Sequence, residues 1–365
     1  MSAHRLHSFR FGVAAASLGM HPRHTLEHKF AALKEAGFHY TEVGFAGYME
    51  WLRQELPDLP ASTCPEGWGE GGEPDPSDEE IWSAMYSKAG DLVNLASTYG
   101  LKVLMLQPLN QYEGWTDGSE REGWAWRKAQ RWLTLCSKIG VEQIQVGSED
   151  KPEADASYEK IARDLYRLAD FAAALNPPVK IAYESWCFGD RLGSWEETWK
   201  LVQLANHPNL GLCLDTAQFP LSPDYGYNVQ TGEGYTDRQF GEMLQRMSQI
   251  PGEKIFYVEL SECLKPVVPL GKGSPFDEPV PFIGRDAGRQ VTTEEDYGRA
   301  RVIDCLKVIL ASGFNGPIMF EFFEAITMER GDEDIPQIYS KAAAQSLKCL
   351  QAHFSGRGLI ELSSS

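Results

Sequence analysis

The sequence predicts one α/β domain, a (β/α)₈ TIM barrel with long loops, and three observations carry that prediction. Short β-rich runs alternate with longer amphipathic ones eight times along the chain. The 365 residues exceed the ~250 typical of one such barrel, which leaves room for long loops rather than a second full domain. The first strand and its exit, RFGVAAASLGMHP, lack the Gly-rich dinucleotide turn that opens a doubly wound sheet, the rival arrangement.

The elements follow in order. The first strand is read at Arg10 to Ser17, and a helix begins near Thr25 with Leu26, Phe30 and Leu33 on one face and Gly37 as its stop. The second strand, YTEVGF, covers Tyr40 to Phe45. A Pro-, Gly- and acid-rich stretch from Pro57 to Glu80 then reads as a long loop or lid, because the alternation resumes after it in the same style. A helix from Ile81 to Tyr99 leads to the third strand, Leu101 to Pro108, and a helix from Glu122 to Ile139 leads to the fourth, Val141 to Ser148. The next helix, Tyr158 to Leu175, sets Ile161, Leu165, Leu168 and Ala172 in one stripe before the fifth strand, Val179 to Ser185. A helix at Trp195 to Ala205 precedes the sixth strand, Asn209 to Thr216, and one at Asp237 to Ser248 precedes the seventh, Lys254 to Glu262. A helix at Glu294 to Ala311, the eighth strand at Pro317 to Glu324 and a closing helix at Pro336 to His353 finish the pattern. The barrel domain is expected to span 1–355, with 356–365 as a polar tail. Strands separated by helices pair in parallel through right-handed crossovers.

Composition narrows the function. Hydrophobic residues are 42% and charged residues 24% of the chain, ordinary for a globular protein with a large core. The formal charge is −18, which argues against nucleic acid or an anionic membrane as a partner, since both are gripped by Lys and Arg. No stretch approaches the ~20 apolar residues of a membrane span. Seven scattered cysteines with no Cys-x-x-Cys spacing form neither a disulfide framework nor a structural zinc pattern, so reduced thiols and a cytoplasmic location are expected. A homo-oligomer is compatible with this composition.

In such a barrel the chemistry sits where strands end. Acids stand there at Glu42, Glu184, Asp215, Glu259 and Glu321. A carboxylate closing an apolar strand is costly unless paired or metal-bound. Four of them, Glu184, Asp215, Glu259 and Glu321, fall on the fifth to eighth strands in succession and would repel at one barrel mouth unless a cation sat among them. All-oxygen ligation favours Mg²⁺ or Mn²⁺. No histidine falls at a strand end, and no GxSxG elbow or Walker loop occurs. Cys187, Cys213 and Cys263 lie near strand ends, where small apolar packing is the expected role. Arg285 and Arg289, in the loop after the seventh strand, are candidates for gripping an anionic substrate group. Tyr112, Trp115, Trp186 and Phe188 could wall a sugar-like or cyclic polyol substrate.

These residues carry a resemblance. TLEHKFAALKEAGFHYTEVGF, LQPLNQYEGW, the long AYESWCFGDRLGSWEETWKLVQLANHPNLGLCLDTAQF, FYVELSE and GFNGPIMFEFF are similar to the xylose-isomerase-like barrels of sugar isomerases and epimerases, and within them to fungal-type 3-dehydroshikimate dehydratases. The resemblance runs from about Phe11 to Leu350 and implies metal ligands at Glu184, Asp215, Glu259 and Glu321, with Glu259 standing where the family usually has Gln. It also implies substrate contacts near Asn110, Trp186, Arg285 and Arg289, although Asn110 and the IGRDAGR run depart from the family pattern. The implied activity is a metal-dependent dehydration of a cyclic keto acid, 3-dehydroshikimate, to protocatechuate. Glu262, Tyr112 or a ligand carboxylate would serve as base. A sugar isomerase or epimerase, with Glu184 and Glu321 passing the proton, is the alternative.

Overall fold

The computed structural model describes residues 6, 8–69, 73–149, 151–154, 157–187, 192–225, 228, 234–263, 288–289, 301–324 and 328–355. Eight strands close into one ring: β1 (Phe11–Ala14), β2 (Tyr40–Gly44), β3 (Lys102–Leu109), β4 (Gln143–Gly147), β5 (Lys180–Glu184), β6 (Leu210–Asp215), β7 (Ile255–Leu260) and β10 (Ile318–Phe320). Every neighbouring pair is parallel, and β1 completes the ring against β10. Most strand positions are buried on both faces, by helices outside and by a packed lumen inside, which is why the strands read as near-continuous apolar runs.

Helices alternate with these strands: α1 (Leu26–Glu35), α2 (Phe45–Glu55), α3 (Glu79–Thr98), α4 (Glu120–Ile139), α5 (Tyr158–Ala173), α6 (Trp195–Ala205), the single turn α7 (Gln218–Leu221), α8 (Asp237–Met247), α9 (Val302–Ala311) and α10 (Ile335–Ser355). Thr25, Ser119, Ser157 and Thr236 accept a backbone N–H at the starts of α1, α4, α5 and α8, so the predicted starts fall within two residues of the observed ones. Two helices were not expected, α2 and the single turn α7. α2 follows β2 directly, with Gly44 at its N-cap and no side-chain cap, so no start signal announces it. The predicted seventh strand also ends early, at Leu260, and Glu262–Cys263 forms a separate strand β8, antiparallel to β9 (Gly288–Arg289). The predicted helix start at Glu294 and the polar tail 356–365 lie outside the described residues.

The Pro57–Glu80 stretch lies between α2 and α3 and is tied down on α4. Glu73 is buried, its Oε1 accepting from Trp132 Nε1 at 2.5 Å and its Oε2 lying 3.4 Å from Lys128 Nζ. Trp82 and Trp124 each donate to Asp75, and Arg131 reaches the Pro76 carbonyl. The Arg121 guanidinium lies 4.5–4.7 Å from the rings of Trp68, Trp115 and Trp124.

The lumen is solid. Leu104, Met105, Ala182, Cys213, Phe256, Tyr257 and Met319 fill it. Gly12 leaves room for this plug, because a Cβ there would meet the Met319 side chain and the Tyr40 carbonyl at 2.6 Å. At the N-terminal rim Glu142 takes both Arg10 (2.7 Å) and Lys102 (2.8 Å), a half-exposed ion cluster remote from the strand ends. None of the helices among the described residues is long and apolar enough to cross a membrane.

Candidate metal centre

The side-chain period of a strand builds the site. Tyr40, Ala182, Cys213, Tyr257 and Met319 face the lumen plug, and two residues further on, on the same faces, stand Glu42, Glu184, Asp215, Glu259 and Glu321. Each acid is therefore lifted one layer above the plug, and all five are at most 7% exposed. Gln107 of β3 and Gln145 of β4 fill the gap on the other side of the ring, 5% and 2% exposed.

The acids are held from several directions. Glu184 Oε2 accepts from Gln145 Nε2 at 2.5 Å and from Trp186 Nε1 at 2.7 Å. Glu321 Oε1 accepts from Gln107 Nε2 at 2.7 Å. Asp215 Oδ1 is turned back onto the Ala217 amide (2.9 Å) and the Ser261 hydroxyl (3.1 Å). Glu259 receives weaker donors, the Cys213 thiol at 3.2 Å, the Tyr257 hydroxyl at 3.3 Å and Gln145 at 3.4 Å. Trp186 can reach Glu184 only because β4 ends in glycine: a Cβ on Gly147 would sit 2.1 Å from the indole.

Glu42 differs from the rest. It is wholly buried, and as a carboxylate neither of its oxygens meets a donor among the described residues. Its one acid neighbour in hydrogen-bond contact is Glu259, which can donate only while one of the pair keeps a proton. Burial, with Glu321 and Asp215 adding repulsion, pushes the Glu42 carboxyl well above the ordinary range. Burial also pushes Glu259 well up, and the neighbours that add to it are Glu321, Glu42, Glu184 and Asp215, all negative. Orphaned oxygens inside a crowd of like charges are what a cation would satisfy.

Two groupings could hold an ion, since their ligand atoms lie within 4.8 Å of one another: Glu42 with Glu259 and Glu321, and Glu184 with Cys213 and Glu259. The first is all oxygen and suits a hard cation. The second includes the Cys213 thiol, which burial pushes well above its ordinary range and so keeps protonated. Cys213 thus packs in the plug as expected and touches Glu259 as well.

Other expected site residues fall elsewhere. The Tyr112 hydroxyl donates to the Asp164 backbone carbonyl of α5 at 2.9 Å, and Tyr112 is a neighbour in neither ligand grouping. The Asn110 amide oxygen accepts from Lys128 Nζ of α4 at 2.9 Å. Glu262 is buried in β8, where its charge joins burial in raising the Cys305 thiol of α9, and it belongs to neither ligand grouping. Its backbone partner is Arg289, so two expected site residues do meet in register. The Arg289 side chain, Arg285 and Phe188 lie outside the described residues. Sequence reasoning placed Glu42 at a strand end but did not group it with the other four acids, and it did not single out Gln107 and Gln145, which donate to Glu321 and Glu184. The signal was available, since a polar residue on the inward face of an otherwise apolar strand needs a partner.

The chain is 26% identical over 357 residues to a 3-dehydroshikimate dehydratase of Neurospora crassa, covering 94% of each chain. It is 28% identical over 236 residues to the 3-dehydroshikimate dehydratase of Pseudomonas aeruginosa, covering 64% of this chain but only 31% of that longer one. Among solved structures, a xylose isomerase-like TIM barrel/4-hydroxyphenylpyruvate dioxygenase fusion protein superposes with a TM-score of 0.65 at 19% identity over 95% of this chain, which spans 43% of the fusion. D-psicose 3-epimerase with D-tagatose from Clostridium cellulolyticum H10 superposes at 0.56 and 14% identity, over 94% of this chain and 99% of that one. The model of the family described as xylose isomerase-like TIM barrel matches residues 30–352, and the chain belongs to that family.

Proposed function

We propose that this chain is a divalent-metal-dependent lyase that dehydrates 3-dehydroshikimate to protocatechuate. The observation that carries a metal-assisted reaction is the ring of buried strand-end carboxylates, with both Glu42 oxygens orphaned. The substrate class is supported by the likeness to the Neurospora crassa dehydratase across 94% of both chains.

In this reading Glu184, Asp215, Glu259 and Glu321 hold Mg²⁺ or Mn²⁺, with Glu42 beside them. A divalent cation bound there would supply Lewis acidity at the ring ketone. The protein's own work is to orient and to move protons. Gln107 and Trp186 hold Glu321 and Glu184 in fixed directions, on opposite sides of the ring of strands. A carboxylate of the ring takes the proton beside the ketone, and the neighbouring hydroxyl leaves as water once protonated. Tautomerisation then completes the aromatic ring. Trp186 offers a flat wall, and Arg285 and Arg289 would hold the substrate carboxylate.

A sugar isomerase or epimerase is the second reading, favoured by the superposition on D-psicose 3-epimerase and by Glu184 and Glu321 standing on β5 and just past β10, across the ring from one another. One assay separates the two. Metal-loaded protein is mixed with 3-dehydroshikimate and followed in the near ultraviolet, with Glu321→Ala alongside. A growing protocatechuate band that needs both the cation and Glu321 is expected. A flat trace from protein that still binds one cation would sink the dehydratase, and a panel of ketoses would follow.

A further inference from the structure

A cavity opens on the same end of the barrel, outside the carboxylate ring. It measures about 440 Å³ and lies between α1, α2 and the segments that follow β1 and β10. Its walls are mostly apolar, among them Ala15, Leu26, Met49 and Phe323. None of the five strand-end acids lines it, although Gly44 and Phe323 come two residues after Glu42 and Glu321.

One charged side chain is set into its wall. Lys29 of α1 lines the cavity and is only 6% exposed. Among the described residues its ammonium forms no direct hydrogen bond or ion pair, and Glu50 is the acid whose field reaches it. The other charges facing the cavity are Glu50 and Arg53 of α2, one of each sign, so the cavity carries a net positive charge supplied by Lys29. An ammonium set into an apolar wall is costly, and burial pushes Lys29 down to about 8, with Glu50 partly offsetting it. The charge still predominates at pH 7.

The cavity is not the by-product of crowded backbone. A Cβ on Gly44 or Gly47 would meet nothing nearer than 3.9 Å, so larger side chains at these two positions would fit and would fill the space. A concave, largely apolar space with one convergent charged group is the usual form of a small-molecule site.

We propose that this cavity is a second ligand site, which takes a small molecule with an apolar body and one carboxylate, the carboxylate pairing with Lys29. The site is independent of the reaction proposed for the barrel mouth. An entering carboxylate would give Lys29 a direct ion pair in addition to the field of Glu50, and the walls accept the apolar body.

Benzoate, with benzyl alcohol as its uncharged counterpart, is the probe, titrated calorimetrically into the metal-loaded protein. Wild type should bind benzoate saturably, with one such site kept in Glu321→Ala where the barrel mouth is disabled, and benzyl alcohol should bind at least 10-fold more weakly. Lys29→Met keeps the apolar stem and should weaken benzoate at least 10-fold without lowering the melting temperature, since an unpaired buried charge is removed. Gly47→Leu should do the same by filling the space, while Glu321→Ala should leave the site intact. Benzoate binding that survives Lys29→Met but is lost in Glu321→Ala would assign the anion to the carboxylate ring and overturn the proposal. Wild type that binds no benzoate would overturn it as well.

Discussion

Tyr183 shows how one position on a strand decides a role. It sits between the lumen-facing Ala182 and Glu184, so it points outward, and its hydroxyl donates to Glu113 at 2.6 Å. Glu113 also accepts from the Glu149 amide at 2.9 Å, and it is fully buried. Burial pushes its carboxyl from 4.5 up to about 7, the two donors only partly pulling it back. The folded state therefore holds this proton more tightly than the unfolded state does. Stability from this group is complete below about pH 4.5 and is lost as pH rises through 7. A shift of this size corresponds to about 3 kcal/mol at most. Glu113→Gln keeps the acceptor for Tyr183 and removes the titration. In urea unfolding, the variant should gain on wild type by up to about 3 kcal/mol between pH 5 and pH 8. An equal gap at both pH values would mean that Glu113 titrates as an ordinary carboxylate. The same logic explains what the sequence hid at this scale. Glu184, Asp215, Glu259 and Glu321 were legible because each ends an apolar run. Tyr112 and Asn110 follow β3 in a loop, where no period says which way a side chain turns.

Among the elements, the segment between α2 and α3 depends on a few polar anchors. Lys128 of α4 is wholly buried and reaches Glu73 and Asn110 at once, while Trp132 holds the other Glu73 oxygen. Lys128→Met would leave a buried carboxylate without its cation, at a cost of roughly 3–5 kcal/mol. Thermal unfolding should register that loss, and limited proteolysis between Pro57 and Asp78 should quicken. Adding Glu73→Gln should recover most of it, because the remaining pair is neutral. Unchanged cleavage in Lys128→Met would show that the tryptophan contacts alone dock the segment. The eight strands, and the helices between them other than α2 and the single turn α7, were legible from apolar period and capping residues. This anchoring was not, because Glu73 and Lys128 are 55 residues apart and neither lies in a recognisable motif. α2 was missed for a local reason: it grows straight from Gly44 without the polar cap that marks α1, α4, α5 and α8.

For the whole molecule, most of the −18 charge is a solvated surface, but five acids are gathered inside one barrel mouth. Burial and mutual repulsion of these acids cost stability that a bound cation would return. Chelation should therefore lower the melting temperature by several degrees, and Mn²⁺ added back at about 100 times its dissociation constant should return roughly 2.7 kcal/mol. A melting temperature indifferent to chelator and to Mn²⁺ would count against a resident cation. The closed ring carries a further consequence, for the order of events in time. β1 is completed only by β10, Phe11 lying against Ile318, so the first strand waits for the last before its outer hydrogen bonds exist. A ribosome adding about 5–20 residues each second leaves that first strand exposed for tens of seconds. During this interval half of its backbone is an open edge, and whatever shelters Phe11–Ala14 in the cell until Ile318–Phe320 emerges governs how much of the newly made chain reaches the closed barrel.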